Sequence, residues 1–185
     1  MKHQWLKFAK HEAGHHVVAR ALGFGTGEIT MIAVGQKADE GSATAAIILN
    51  EQLSDVDAIV DYCERRVLVL CAGAIAEALS AGKSDQDKAN AAWKSTAVSD
   101  WEKCKEILHV LYNIKLAAKP IDMLDQDYLD KLANELVARA SNLVEANAAV
   151  IEEIGAALLE KVVLVGMPGT LAKDELEKFI VQKVD

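Results

Sequence analysis

Residues 11–15 read His-Glu-Ala-Gly-His, two imidazoles four positions apart with a carboxylate beside the first. On a helix, positions i and i+4 share one face. His11 and His15 can then present two ring nitrogens to a single zinc ion, while Glu12 is placed to take a proton from a water that the ion activates. That is the chemistry of zinc-dependent peptide hydrolysis. The competing reading is a chance pair of surface histidines, a match expected in roughly one chain of this size in a few hundred. His16 follows directly, but one step around a helix it cannot share the direction of His15, so a surface or supporting role suits it better than ligation.

The pentapeptide needs a helix, and Trp5, Phe8 or Ala9, Val18 and Leu22 recur at helical spacing around it, giving a helix over 4–22. Gly23, Gly25 and Gly27 then stop it. Gly14 costs a helix interior about 1 kcal/mol relative to alanine, which points to close approach of another backbone or of substrate. The β-branched run 28–34 predicts a strand, followed by turn-prone 35–41 and a second strand over 42–49, whose alanines leave a helix as the alternative. The edge of such a sheet could hold an extended peptide over a metal, or the pair could be a plain core hairpin.

From Ser54 the pattern is helical. Val56, Ile59, Cys63, Val67, Leu70 and Ala74 mark one face, with Ser54 as cap and Asp57 at the capping-box position. A third long helix is expected over 85–115, carrying Ala89, Trp93, Thr96, Ile107 and Leu111, and Pro120 breaks the chain after it. Three more follow over 125–145, 148–162 and 173–184. The expected architecture is mainly α (α+β): a single domain over 1–185, with a metal-site lobe (1–118) holding a small sheet and a helical lobe (119–185) forming a C-terminal bundle.

The 185 residues are 51% hydrophobic and 26% charged, enough for one ordinary core. A net charge of −8 argues against nucleic-acid partners and anionic membranes. Residues 1–10 are charged and lack the apolar centre of a secretory leader, and the apolar runs 67–75 and 162–165 fall far short of the ~20 residues of a span, so a cytoplasmic location is expected. Cys63, Cys71 and Cys104 form no C-x-x-C pair and read as reduced core thiols. Trp5, Trp93 and Trp101 read as packing aromatics, and His3 and His109 as structural.

The order of these features resembles the peptidase domain of the FtsH-type ATP-dependent zinc proteases over about residues 7–180. The resemblance is carried by His-Glu-Ala-Gly-His-His-Val-Val (11–18), a strand ending at Gly35, a glycine-led extended segment from Gly41, and Ala72-Gly-Ala-Ile-Ala-Glu77, similar to the family's Gly-Gly-Arg-x-Ala-Glu. Ser84-Asp-Gln-Asp87, with an alanine at 91, is similar to its Ser-Asn-Asp stretch, and Thr170-Leu-Ala-Lys-Asp-Glu-Leu to its closing element. In the family an aspartate after the second helix completes the metal sphere. The resemblance thus implies zinc held by His11, His15 and Asp87, with Asp85 in reserve; the same Ser84-x-x-Asp87 is also a capping-box pattern. The loop from Glu77 to Asp87 looks shorter than the family's, where a Thr-Thr-Gly-Ala-like stretch would stand. Glu77 is either an orienter of a ligand imidazole or a solvated helix-end acid.

The implied activity is zinc-dependent endopeptidase action, with Glu12 as base, on peptides or unfolded protein segments. Full-length family members carry an ATPase module and membrane spans; this sequence contains neither, nor any phosphate-binding loop motif. A separate ATPase partner and assembly with further copies of itself are therefore open expectations. Two other readings stand beside it: a catalytically silent binding or regulatory module, which would hold metal without turnover, and a dedicated protease that cuts one partner protein.

Overall fold

The computed structural model describes residues 2–33, 41–116 and 125–181. In chain order the elements are α1 (Lys2–Ala21), β1 (Gly25–Ala33), β2 (Gly41–Ile48), α2 (Val56–Glu77), β3 (Leu79–Ser80), β4 (Lys83–Ser84), α3 (Gln86–Trp93) and α4 (Val98–Lys115). Beyond the second gap come α5 (Gln126–Ala146), α6 (Ala148–Lys161), β5 (Pro168–Leu171) and α7 (Lys173–Val181). The fold is mainly helical with a small antiparallel sheet, as the hydrophobic periodicity predicts. Pro120, the expected break between lobes, lies outside the described residues, as does most of the turn expected at 35–41.

α1 buries Ala9, Ala13, Val17 and Val18, and it ends where Phe24 N–H reaches back to Ala19 O (2.9 Å) across Gly23. It crosses α2 at Gly14. A Cβ there would stand 2.5 Å from Ala76 Cβ and 2.8 Å from Ala72 O, so the glycine lets the two helices meet backbone to backbone. Another backbone, not substrate, is what approaches Gly14.

The sheet order is β2-β1-β5. Ile29, Met31 and Ala33 of central β1 point into the core, and β2 runs antiparallel to it with Ile29 opposite Ala45 and Met31 opposite Ala43. The alanines of 42–49 thus settle as strand. β2 is an edge, its far side unpaired among the described strands. β5 was not anticipated; it opens on Pro168, and a proline is tolerated at the first residue of an edge strand.

Among the boundaries that differ from the expected ones, two have a clear local cause. α2 is capped by Asp55, one residue after Ser54: Asp55 Oδ1 accepts Ala58 N–H at 2.8 Å, and Ser54 Oγ donates to Asp55 Oδ2 at 2.9 Å. The helix expected over 85–115 is two helices, parted at 94–97. No glycine or proline marks the break. Ala97, fully buried in a small cluster with Ala74 and Ala92, turns its N–H back to Ala92 O (2.9 Å), and Ser95 Oγ takes Ala91 O (2.8 Å). The alanine docks against α2 only if the chain leaves the helical path.

Residues from both sides of the 118/119 boundary share one core. Val17 of α1, Leu68 and Ile75 of α2, and Ile151, Ile154 and Leu158 of α6 belong to the same buried cluster, and β5 pairs directly with β1. α1 is held between α2 and α6. No helix among the described residues is long and apolar enough to cross a membrane.

Candidate metal centre

Helical spacing brings the His11 and His15 side chains together on α1, with their Nε2 atoms 2.9 Å apart and their rings edge to face. What aims them is α2. His11 Nδ1 lies 2.7 Å from Glu77 Oε1, and His15 Nδ1 lies 2.7 Å from the Val69 carbonyl oxygen. A carbonyl only accepts, so His15 donates from Nδ1; the Glu77 carboxylate imposes the same tautomer on His11. Both Nε2 atoms then face a common point. Glu77 is itself held by Thr96 Oγ1, 2.8 and 2.9 Å from its two oxygens, and its side chain is 6% exposed. It is buried against the His11 ring and is not a solvated helix-end acid.

The third group is Asp100, in the first turn of α4, whose Oδ2 lies 3.2 Å from each Nε2. His11, His15 and Asp100 bring one ligand atom each to within 4.8 Å of one another. Asp87 does not join them. It sits exposed in the first turn of α3, while Asp85 caps that helix through Lys88 N–H (3.2 Å) and pairs with Lys88 Nζ (2.9 Å). The structure thus gathers His11 and His15 with Asp100 and leaves Asp87, the third ligand that the resemblance implied, outside the cluster. The β3–β4 hairpin and the short α3 occupy the chain after α2, so the helix that returns to the histidines begins only at Val98.

Three electron-pair donors facing one point are unfavourable without positive charge among them. The electrostatics say the same. Burial opposes charging His11, yet its hydrogen bonds to Asp100 and Glu77 outweigh this and push its pKa up to about 10. Burial likewise opposes ionising Asp100, and the two imidazoles overcome it, holding the carboxyl well below the usual carboxylate range. A divalent cation fits this cradle. Gly73 keeps it open: a Cβ there would stand 2.5 Å from Nε2 of both histidines.

Glu12 lies in the same cleft, about 420 Å³ in volume, with Ser99, Arg66 and the 41–45 stretch of β2 along its walls. Its Oε2 accepts the Ala45 N–H at 2.7 Å, which fixes the carboxylate between the histidines and the sheet edge. A larger groove of about 620 Å³, lined by Trp93, Trp101, Asn90 and Asn134, contains no histidine, cysteine or carboxylate. Two imidazoles and one carboxylate, with a second carboxylate as base, is a zinc-type donor set that leaves a coordination position for water or substrate.

No family model matches the chain, and no curated protein matches it either.

His16 is not at the surface. It is 1% exposed, neither ring nitrogen has a hydrogen-bond partner, and burial with the nearby Arg20 charge pulls its pKa down to about 4. The cysteines are free thiols as expected, Cys71 and Cys104 lying buried with their sulfurs 3.8 Å apart. Asp100, Thr96, Gly73 and Arg66 are the site residues that sequence reasoning missed. Asp100 carries no spacing signal that sets it apart from Asp85, Asp87 or Glu102.

Proposed function

We propose that the protein is a zinc-dependent endopeptidase acting on peptides or unfolded protein segments, in the manner of the FtsH-type peptidase domains it resembles. The observation that carries this is the convergence of His11 Nε2, His15 Nε2 and Asp100 Oδ2 on one point, with the Glu12 carboxylate beside it under an open strand edge. His11, His15 and Asp100 are the residues to hold zinc. Bound there, zinc would supply Lewis acidity, which makes water a better nucleophile near neutral pH and polarises a carbonyl oxygen.

The chain's own residues do the rest. Glu77 and the Val69 carbonyl hold the two imidazoles in the tautomer that leaves Nε2 unprotonated. Glu12, anchored through Oε2, takes the proton of the attacking water and returns it to the leaving amine. Apart from the Ala45 N–H that Glu12 holds, the edge of β2 offers main-chain groups to an extended segment, which lays the scissile bond across the cleft. Such an edge accepts unfolded chain and rejects folded domains. A partner ATPase that unfolds and feeds substrate remains compatible with this, and so does self-assembly.

The test is elemental analysis of purified protein, wild type beside Asp100→Ala, Asp87→Ala and Glu12→Gln, with casein hydrolysis on the same samples. Stoichiometric zinc in all but Asp100→Ala, and hydrolysis lowered at least ~100-fold in Glu12→Gln, is the expected result. Zinc without turnover on any unfolded substrate would instead make the protein a silent binding module, and absence of zinc after supply would remove the site.

A further inference from the structure

We infer that Arg66 anchors a carboxylate of the bound peptide, so that the cleft selects segments carrying an acidic side chain, or a chain end, a few residues from the scissile bond. This deepens the peptidase reading and rests on it for the cleft being a peptide site.

The chain has four arginines, and three are ion-paired: Arg20 with Glu177, Arg65 with both Glu51 and Asp61, and Arg139 with Glu64. Arg66 pairs with no carboxylate among the described residues, although the protein carries an excess of eight acidic groups. Its guanidinium is half-buried in the wall of the metal cleft. A cation taken partly out of water and left unpaired is costly. The cost is visible as a pKa lowered chiefly by burial, and an incoming anion would relieve it. Guanidinium also matches carboxylate geometry with two parallel N–H···O bonds, which makes it selective as well as attractive.

Position on α2 sets the register. Arg66, Leu70, Gly73 and Glu77 fall on one stripe at i, i+4, i+7 and i+11, and Gly73 and Glu77 are the residues that meet the two histidines. Seven residues of helix separate Arg66 from Gly73 by roughly 10 Å along the axis. An extended peptide covers that distance in about three residues. Lys103, also on the cleft wall, is already paired with Asp100 Oδ1 at 3.7 Å, which leaves Arg66 as the cation there with no carboxylate partner among the described residues.

The test uses zinc-supplied Glu12→Gln protein, in which binding is read without cleavage. Fluorescein-labelled peptides of about eight residues carry Glu, Gln or Lys at one central position, each with a free or an amidated C-terminus, and binding is followed by anisotropy at low salt. The Glu peptide is expected to bind about ten-fold more tightly than its Gln counterpart, a difference lost on adding Arg66→Gln and turned to a preference for Lys by Arg66→Glu. A preference that follows the free C-terminus instead assigns the same guanidinium to the chain end. Equal binding of all peptides, or a Glu preference that survives Arg66→Gln in protein with an unchanged thermal melt, overturns the inference. Casein hydrolysis by wild type is scored separately. If it fails while the charge preference stands, the peptidase reading falls and the anionic-peptide site remains.

Discussion

Gly73 is the residue on which the centre turns, although it supplies no donor. Its missing side chain leaves the space that both Nε2 atoms face, and hydrogen bonds from Nδ1 hold both rings in place. Adding a methyl group forces the rings apart instead of letting them yield. Gly73→Ala is therefore expected to lower zinc affinity at least ~10-fold, read by competition with a chromogenic chelator, while overpacking costs the fold only about 1–3 kcal/mol. His16 is the opposite case, a polar group in the core with nothing to bond. An unpartnered buried polar group costs about 1–3 kcal/mol, so His16→Leu, close in volume, should raise the melting temperature at pH 7. The gain should widen on acidification. The folded pKa lies near 4 and the unfolded value near 6.5, so the unfolded chain takes up a proton first, and wild type loses stability as pH falls from 6.5 to 4. That loss amounts to about 3 kcal/mol and is absent from the leucine variant. Parallel pH dependence of the two denaturation midpoints would show that His16 does not titrate this way.

At the scale of elements, the turn between α3 and α4 does what neither helix does alone. It places Asp100 in a first helical turn facing α1 and sets Thr96 against Glu77, so one stretch of chain reaches both histidines and braces the carboxylate that holds His11. Thr96→Val keeps the shape and removes the hydroxyl. The expected outcome is a fall in zinc affinity of about ten-fold with the secondary structure unchanged by circular dichroism, since the loosened carboxylate orients His11 less firmly. An unchanged affinity would leave Thr96 as turn chemistry only. This turn is also where sequence reasoning stops short. α1 was legible because Trp5, Phe8, Val18 and Leu22 recur at helical spacing, and β1 was legible from its β-branched run. The 94–97 break was not, since it arises from Ala97 docking against Ala74 rather than from glycine or proline. Once 85–115 is read as one helix, Asp87 stands at its start and Asp100 disappears into its middle. β5 escaped for a related reason: its identity comes from pairing with β1, a contact distant in sequence.

For the whole molecule, the centre ties together parts far apart in the chain. Its donors come from α1 and α4 and their supports from α2, and α1 in turn packs on α6 and the sheet that β5 completes. An ion that binds only when these elements are assembled must stabilise the whole, by RT ln(1 + [L]/Kd), about 3 kcal/mol at a hundred-fold excess over Kd. For a domain of this size that corresponds to a melting temperature higher by roughly 5–10 °C. Stripping the metal with a chelator should lower the midpoint by that amount in wild type and in Asp87→Ala, and readdition of zinc should restore it. Asp100→Ala should melt at a midpoint that neither chelator nor zinc moves. Because residues on both sides of 118/119 lie in one core, the shift should appear in the single transition of the molecule and not in one of two. A midpoint indifferent to chelation while zinc is shown to leave would mean that the unfolded chain holds the ion as well as the folded one does, and that the three donors owe nothing to the assembled fold.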